Sequence, residues 1–154
     1  MAASTSHVMY LILRRDLTTA LQWPLGAVCT QAAHAASASI WLFRDDPNTI
    51  AYTADLDHMH KVTLGVDSEE EIRKVESKLV ERKIDHKVWI EDGFPVCIAL
   101  KPYPKDEVKN ALLSGNATLT QPHVPGFSPS EVGSEERRSD YCPSGFLGRQ
   151  IRRR

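Results

Sequence analysis

Val8–Leu13 reads VMYLIL, six apolar residues in a row with polar neighbours on both sides. A run this short and this continuous suits a strand buried on both faces. It is far too short to span a membrane. Working outward from it, Thr18–Gln22 reads as a turn region and Trp23-Pro24 opens a helix, with Pro24 near the first helical position, where a missing N–H costs nothing. That helix is expected to run to about Phe43 and is rich in small residues (Gly26, Ala27, Cys29, Ala32, Ala33, Ala35, Ala36, Ala38). Asp46-Pro47-Asn48 breaks the chain before a second helix over about 48–57. Lys61–Val66 reads as a strand with Gly65 near its end. Ser68-x-x-Glu71 is a capping box. It begins an amphipathic helix with Ile72, Val75, Leu79 and Val80 on one face. Ile84–Glu91 alternates like a half-exposed strand, Asp92–Pro95 is a turn, and Val96–Leu100 is a buried strand. Their short connection makes these two strands a hairpin. Pro104–Leu113 is a last short helix. The order β-α-α-β-α-β-β-α implies an α/β fold: three α/β/α layers with a four-stranded mixed sheet.

The chain has 154 residues, enough for one ordinary domain. Charged residues make up 25% and hydrophobic ones 42%, a globular composition. Nineteen Lys and Arg against 20 Asp and Glu give a net charge of −1, which excludes a bulk polycation but not a local basic patch. Composition changes near Ser114. From there to Arg154 the chain holds six Ser, five Gly and four Pro, with aperiodic hydrophobics. Such a segment cannot offset its ordering entropy by burial. The expected organisation is a flexible N-terminus over 1–7, a domain over 8–113 and a disordered C-terminal tail over 114–154. The three cysteines, Cys29, Cys97 and Cys142, show no paired spacing and no metal framework. No secretory leader or Arg-rich amphipathic presequence is read at Met1–His7. The expected compartment is therefore the reducing cytoplasm, with free thiols.

Few polar residues offer chemistry. Asp16 follows the first strand directly, and Gln31 and His34 lie three apart on one face of the small-residue helix. Glu91 and Asp92 end the third strand. Loops at the carboxyl ends of strands in α/β sheets often form sites, so Asp16 and the Gln31/His34 face are expected to meet in one cleft. Each residue also has a plain structural reading. A lone His on an apolar helix is more often a hydrogen-bonded boundary residue, Asp16 can cap the turn, and Glu91-Asp92-Gly93 suits an ordinary hairpin. Trp23 and Trp41 read as packing anchors, and Cys29 as a buried, inert thiol.

LRRDL (Leu13–Leu17), WPLGAVCTQAAHAA (Trp23–Ala36), IDHKVWIE (Ile84–Glu91) and CIALKPYPKDEV (Cys97–Val108) together resemble the type-2 peptidyl-tRNA hydrolase family, and most closely a divergent eukaryotic branch of it. The resemblance covers about residues 8–113, with its specific part in the first forty residues. It implies hydrolysis of the ester between a peptide and the 3′ ribose of tRNA, with no cofactor and no metal. The implied catalytic positions are Asp16, Gln31, His34, Glu91 and Asp92. Arg14, Arg15, Lys61 and Lys101 are the implied substrate-binding cations. The implied partner is tRNA or peptidyl-tRNA, no membrane is involved, and a homodimer is compatible with the sequence. Two departures stand out. The lysine that follows the helix-start glycine in the family is Ala27 here. The family's aspartate-alanine-glycine turn, with its arginine-threonine pair, reads Glu91-Asp92-Gly93-Phe94-Pro95, and the later threonine reads Val96. A developing oxyanion loses a positive charge with that lysine, and one such donor is typically worth a hundredfold or more in rate. Two readings follow: a hydrolase of peptidyl-tRNA, or a catalytically impaired relative that acts as a tRNA- or protein-binding module.

Overall fold

A computed structural model describes residues 6–113, without the side chains of 109–111 and 113. The expected disordered tail over 114–154 lies outside the described residues. Strand β1 (His7–Arg14) is the centre of a mixed sheet in the order β2-β1-β4-β3. It pairs in parallel with β2 (His60–Val66) and antiparallel with β4 (Phe94–Leu100), which in turn pairs antiparallel with β3 (His86–Glu91). The strand begins at His7, one residue before the expected domain start, and the His7 ring meets the Asn48 side chain at 3.1 Å. A fifth strand, β5 (Tyr103–Pro104), was not expected. It pairs with the start of β1 after a one-residue slip of register relative to β4. Lys101-Pro102 makes that slip, and two residues carry no period from which sequence can read a strand.

Side chains of β1 alternate between two cores. Val8, Tyr10 and Ile12 pack with Ile72, Val75 and Leu79 of α4 (Glu69–Glu81) and with Val108 and Leu112 of α5 (Lys105–Leu113). Met9 and Leu11 pack on the other face with Val28, Ala35 and Ala36 of α2 (Leu25–Leu42) and Tyr52 of α3 (Pro47–Thr53). This is the expected three-layer α/β/α arrangement. A short helix, α1 (Asp16–Thr19), occupies the start of what reads as a turn, followed by the turn proper. The second expected helix is shorter than 48–57 and is followed by a 3-10 turn at Leu56–His58.

Local chemistry sets the element ends. Pro24 stands just outside α2 in extended conformation rather than at its first position. Asp46 caps α3 by accepting from the Asn48 N–H at 2.9 Å. The Ser68 hydroxyl accepts from the Glu71 N–H at 3.2 Å, while the Glu71 carboxylate accepts from the Asp67 N–H at 2.7 Å. The capping box is thus reciprocal, displaced by one residue on its return arm. Val80 departs from its expected place on the apolar face and is 64% exposed. Asp92 and Gly93 join β3 to β4 with φ of 51° and 85°. Both residues lie in the left-handed region that a tight two-residue hairpin turn of this twist requires. Between that turn and Trp89 the pairing slips by one residue on β4, a bulge of the kind that re-aims side chains.

No helix among the described residues is long and apolar enough to cross a membrane. Cys29 and Cys97 are both free thiols. Cys97 is buried, which pushes its thiol up to about 12. Cys29 is exposed, contrary to the inert buried thiol expected, because α2 turns Val28 and Gln31 inward and the intervening residues outward. Trp41 is likewise no packing anchor: it is exposed, with the Arg44 guanidinium 5.2 Å above its ring. Trp23 does pack, against Phe94 at 6.1 Å between centroids.

Candidate active site

The C-terminal end of β1, the tip of the β3–β4 hairpin and the N-terminal half of α2 come together. Two groups of side chains build the site there. In the first, Arg14 is buried and spans from β1 to the hairpin. Its Nε and Nη2 donate to the two Asp16 carboxylate oxygens at 3.0 and 2.7 Å. Its Nη1 donates to the Pro95 carbonyl at 3.1 Å and reaches Glu69 at 3.5 Å, and the guanidinium carbon lies 5.1 Å from the Phe94 ring centre. The hydrogen bonds to Asp16 raise the guanidinium above its ordinary value although burial opposes this. A planar fork facing a carboxylate in this way fixes both groups.

The second group is organised by Trp89. Its indole N–H donates to Gln31 Oε1 at 2.8 Å and is shared with Glu91 Oε2 at 3.2 Å. Its ring stacks on the His34 imidazole with centroids 4.9 Å apart and planes 19° from parallel. Gln31 is buried, while His34, one turn on, is exposed. The groups join through the hairpin, because Glu91 and Phe94 are cross-strand partners either side of its turn.

Among the expected catalytic positions, Gln31, His34 and Glu91 are therefore brought into one cluster. Asp16 is anchored to the same hairpin through Arg14. Asp92 sits exposed at the hairpin tip, where its backbone conformation makes the turn. The expected binding cations fare differently. Arg14 is an internal strut. Arg15 lies over buried Gly65, pairs with Asp67 at 2.7 Å and stays at the rim. Lys61 is level with Met9 on β1, which puts it roughly 20 Å along the sheet from Asp16; its ammonium lies over the Tyr52 ring at 5.4 Å. Lys101 is at the same far end. It is 6% exposed and bridges Asp46 and Asp85 at 2.8 Å each. Its ammonium is thus already engaged by two carboxylates of the chain, and Lys101 holds structure together at that end of the sheet.

Trp89 gains an importance that the sequence reading did not give it, and Lys87, read from sequence only as one member of a candidate basic patch with Arg14, Arg15, Lys61, Lys101 and Lys105, gains a definite place. Trp89 touches three candidate groups. Lys87 lies two positions earlier on the same strand face and only partly buried, with no hydrogen bond or ion pair recorded among the described residues. The period-two string Lys87-x-Trp89-x-Glu91 was the available signal, since alternate strand residues share a face. What it did not tell is which helix would cover them. Among the described residues no group of His, Cys, Asp and Glu is arranged to hold a metal ion.

Comparison with known proteins gives the family. The family model for peptidyl-tRNA hydrolase PTH2 matches residues 7–114. A mouse protein named "Putative peptidyl-tRNA hydrolase PTRHD1" is 44% identical over 108 residues, covering 68% of this chain and 77% of its own length. The human protein of the same name is 44% identical over 115 residues, covering 70% and 82%. A match that takes in β1, the Gln31/His34 helix and the whole β3–β4 hairpin places this chain in the PTH2 peptidyl-tRNA hydrolase family.

Proposed function

We propose that this protein hydrolyses the ester between a peptide and the 3′ ribose of tRNA. The observation that carries the reading is the Gln31–Trp89–Glu91 hydrogen-bonded cluster with His34 stacked upon it, at the end of the sheet where β1 runs into Asp16. Ester hydrolysis needs a base for water, a donor for the carbonyl oxygen and a place for the nucleic acid. His34 takes a proton from the attacking water as the water oxygen bonds to the carbonyl carbon. The Gln31 amide donates to the oxygen that becomes negative. Collapse of the tetrahedral species breaks the bond to the ribose oxygen, which receives the proton and leaves as the free 3′ hydroxyl. No redox partner is required, and the recycling of tRNA follows from the products.

The test is a time course with the full chain and an N-acetylated aminoacyl-tRNA. Release of acetyl-amino acid with wild type, and a loss of about a hundredfold or more in kcat for His34→Ala, is the expected result. No release at stoichiometric protein overturns it.

The tRNA contact runs over Lys87, two residues from Trp89 on the same strand face, rather than over Lys61, which lies further from the cluster at the level of Met9, or Lys101, which is held by Asp46 and Asp85. Lys87→Ala is expected to weaken tRNA binding severalfold and to lower the slope of log K against log salt by about one. Titrations at several salt concentrations measure both quantities. An unchanged slope excludes a phosphate contact at Lys87.

A second reading is a binding module without turnover. It is favoured by Ala27 at the family's lysine position, together with the internal pairing of Arg14. Salt-dependent tRNA binding by a wild type that does not cleave would select it.

A further inference from the structure

We infer that Trp89 is a positioning residue that fixes Gln31 as the donor to the oxyanion in place of the lysine absent at Ala27. The inference rests on the hydrolase reading above and goes beyond it by naming what orients the donor.

A glutamine amide carries an acceptor at one end and two donors at the other, and it can present either. An indole N–H is a donor only. With Trp89 Nε1 2.8 Å from Gln31 Oε1, the oxygen is committed and the NH₂ group is turned the opposite way. Among the described residues that NH₂ meets no hydrogen-bond partner, and it is not sealed in the interior, because the only fully buried unpartnered side-chain polar atoms there are Ser39 Oγ and Thr49 Oγ1. The side chain as a whole is nevertheless only 7% exposed. Gln31 is thus a held donor whose NH₂ is uncommitted and not fully sealed from the surface, the arrangement that stabilises developing negative charge without reorganisation.

Its location fits the missing cation. Gln31 is four residues beyond Ala27, one turn along the same face of α2. The methyl group of Ala27 leaves the approach to that face free of a competing charge. The same indole also fixes the other groups. Its N–H is shared with Glu91 at 3.2 Å and its ring carries His34. One side chain on the hairpin therefore sets the amide orientation and the imidazole plane on the helix.

Three variants separate the roles. Trp89→Phe keeps a ring beneath His34 and removes the N–H. It is expected to lower kcat about tenfold, the size of one neutral hydrogen bond, with KM within twofold. Gln31→Glu keeps an oxygen for the indole and removes the NH₂. It is expected to lose about a hundredfold in kcat, as Gln31→Ala does. In the Gln31→Ala background, Trp89→Phe is expected to cost nothing further, since its route to the reaction is gone. A full additional tenfold loss there, or a change confined to KM, overturns the proposal.

The hydrogen bond itself is read without turnover. The Trp89 indole ¹⁵N–¹H resonance, identified by its disappearance in Trp89→Phe, is expected to exchange with solvent about tenfold faster in Gln31→Ala than in wild type, and to stay protected in Gln31→Glu. An indole that does not respond to Gln31→Ala overturns the positioning role whatever the activity. A responsive indole in a wild type that cleaves nothing overturns the oxyanion role by overturning the hydrolase reading, and the two failures are thereby told apart.

Discussion

Replacing Arg14 by alanine is expected to destabilise the fold by about 3–5 kcal/mol, because it removes one partner of an internal ion pair and leaves the other in place. The Arg14 side chain is 6% exposed and that of Asp16 18%. Without the guanidinium, the Asp16 carboxylate loses both its donors, the Pro95 carbonyl loses its hydrogen bond, and the Phe94 ring loses the cation above it. Glu69 contributes little, being exposed and at 3.5 Å. For a domain of this size, that loss lowers Tm by roughly 10–20 °C, readable by circular dichroism. Arg14→Lys is expected to fall between, since an ammonium keeps the charge but cannot face two carboxylate oxygens and a carbonyl at once. A fall of less than about 1 kcal/mol for Arg14→Ala would show that Asp16 is already well solvated, and that Arg14 is not the strut joining β1 to the hairpin. The site shares this dependence: the same contacts hold the hairpin that carries Trp89 and Glu91.

The second large effect lies at the other end of the sheet. Lys101→Ala is expected to cost about 3 kcal/mol, the lower end of the range for breaking a buried pair. The lower end applies because Asp46 and Asp85 are 27% and 50% exposed and partly rehydrate once abandoned. The lysine contributes more than charge: its ammonium also lies 4.7 Å from the Tyr103 ring, and the Tyr103 hydroxyl accepts from the Asp85 N–H at 2.8 Å. Its loss therefore loosens the register slip that leads into β5.

The pH dependence of this difference follows from the ion pairs. Burial works against the Lys101 ammonium, yet its hydrogen bonds to Asp46 and Asp85 hold it above the ordinary lysine value. Burial pushes the Asp46 carboxyl up, but the bonds from Lys101 and the Asn48 N–H outweigh this and leave it below the ordinary value. A raised lysine gives stability that is whole below about pH 10.4 and is lost as pH rises through its folded-state value. A lowered aspartate gives stability that is whole above about pH 4 and is lost as pH falls through its folded-state value. The Tm gap between wild type and Lys101→Ala is thus expected to be flat between those limits and to narrow outside them. A gap that varied around neutrality would point to a different partner.

The residue pattern alone determined the layers. The run Val8–Leu13 demanded a central strand, the Ser68 capping box and the Ile72/Val75/Leu79 spacing demanded a helix, and the turn read at Asp92–Pro95 demanded a hairpin, which the structure tightens to Asp92-Gly93 by taking Phe94 and Pro95 into β4. Each is a local rule with a short reach, so no tertiary information was needed. The Gln31/His34 pair was legible for the same reason, since helical spacing alone puts both on one face. Tertiary structure decided what pairs with what across the chain. Arg14 and Lys101 read as surface cations, because charged side chains usually are. The Pro95 carbonyl, 81 residues away, in one case, and carboxylates 16 and 55 residues away in the other, turned them inward. Trp89 read as one more apolar strand residue until α2 laid Gln31 on its N–H and His34 on its ring. Burial, ion pairing and the orientation of an amide depend on groups distant in sequence that only the packed fold brings within 3 Å. Sequence therefore supplied most of the candidate residues, and packing decided what each of them touches.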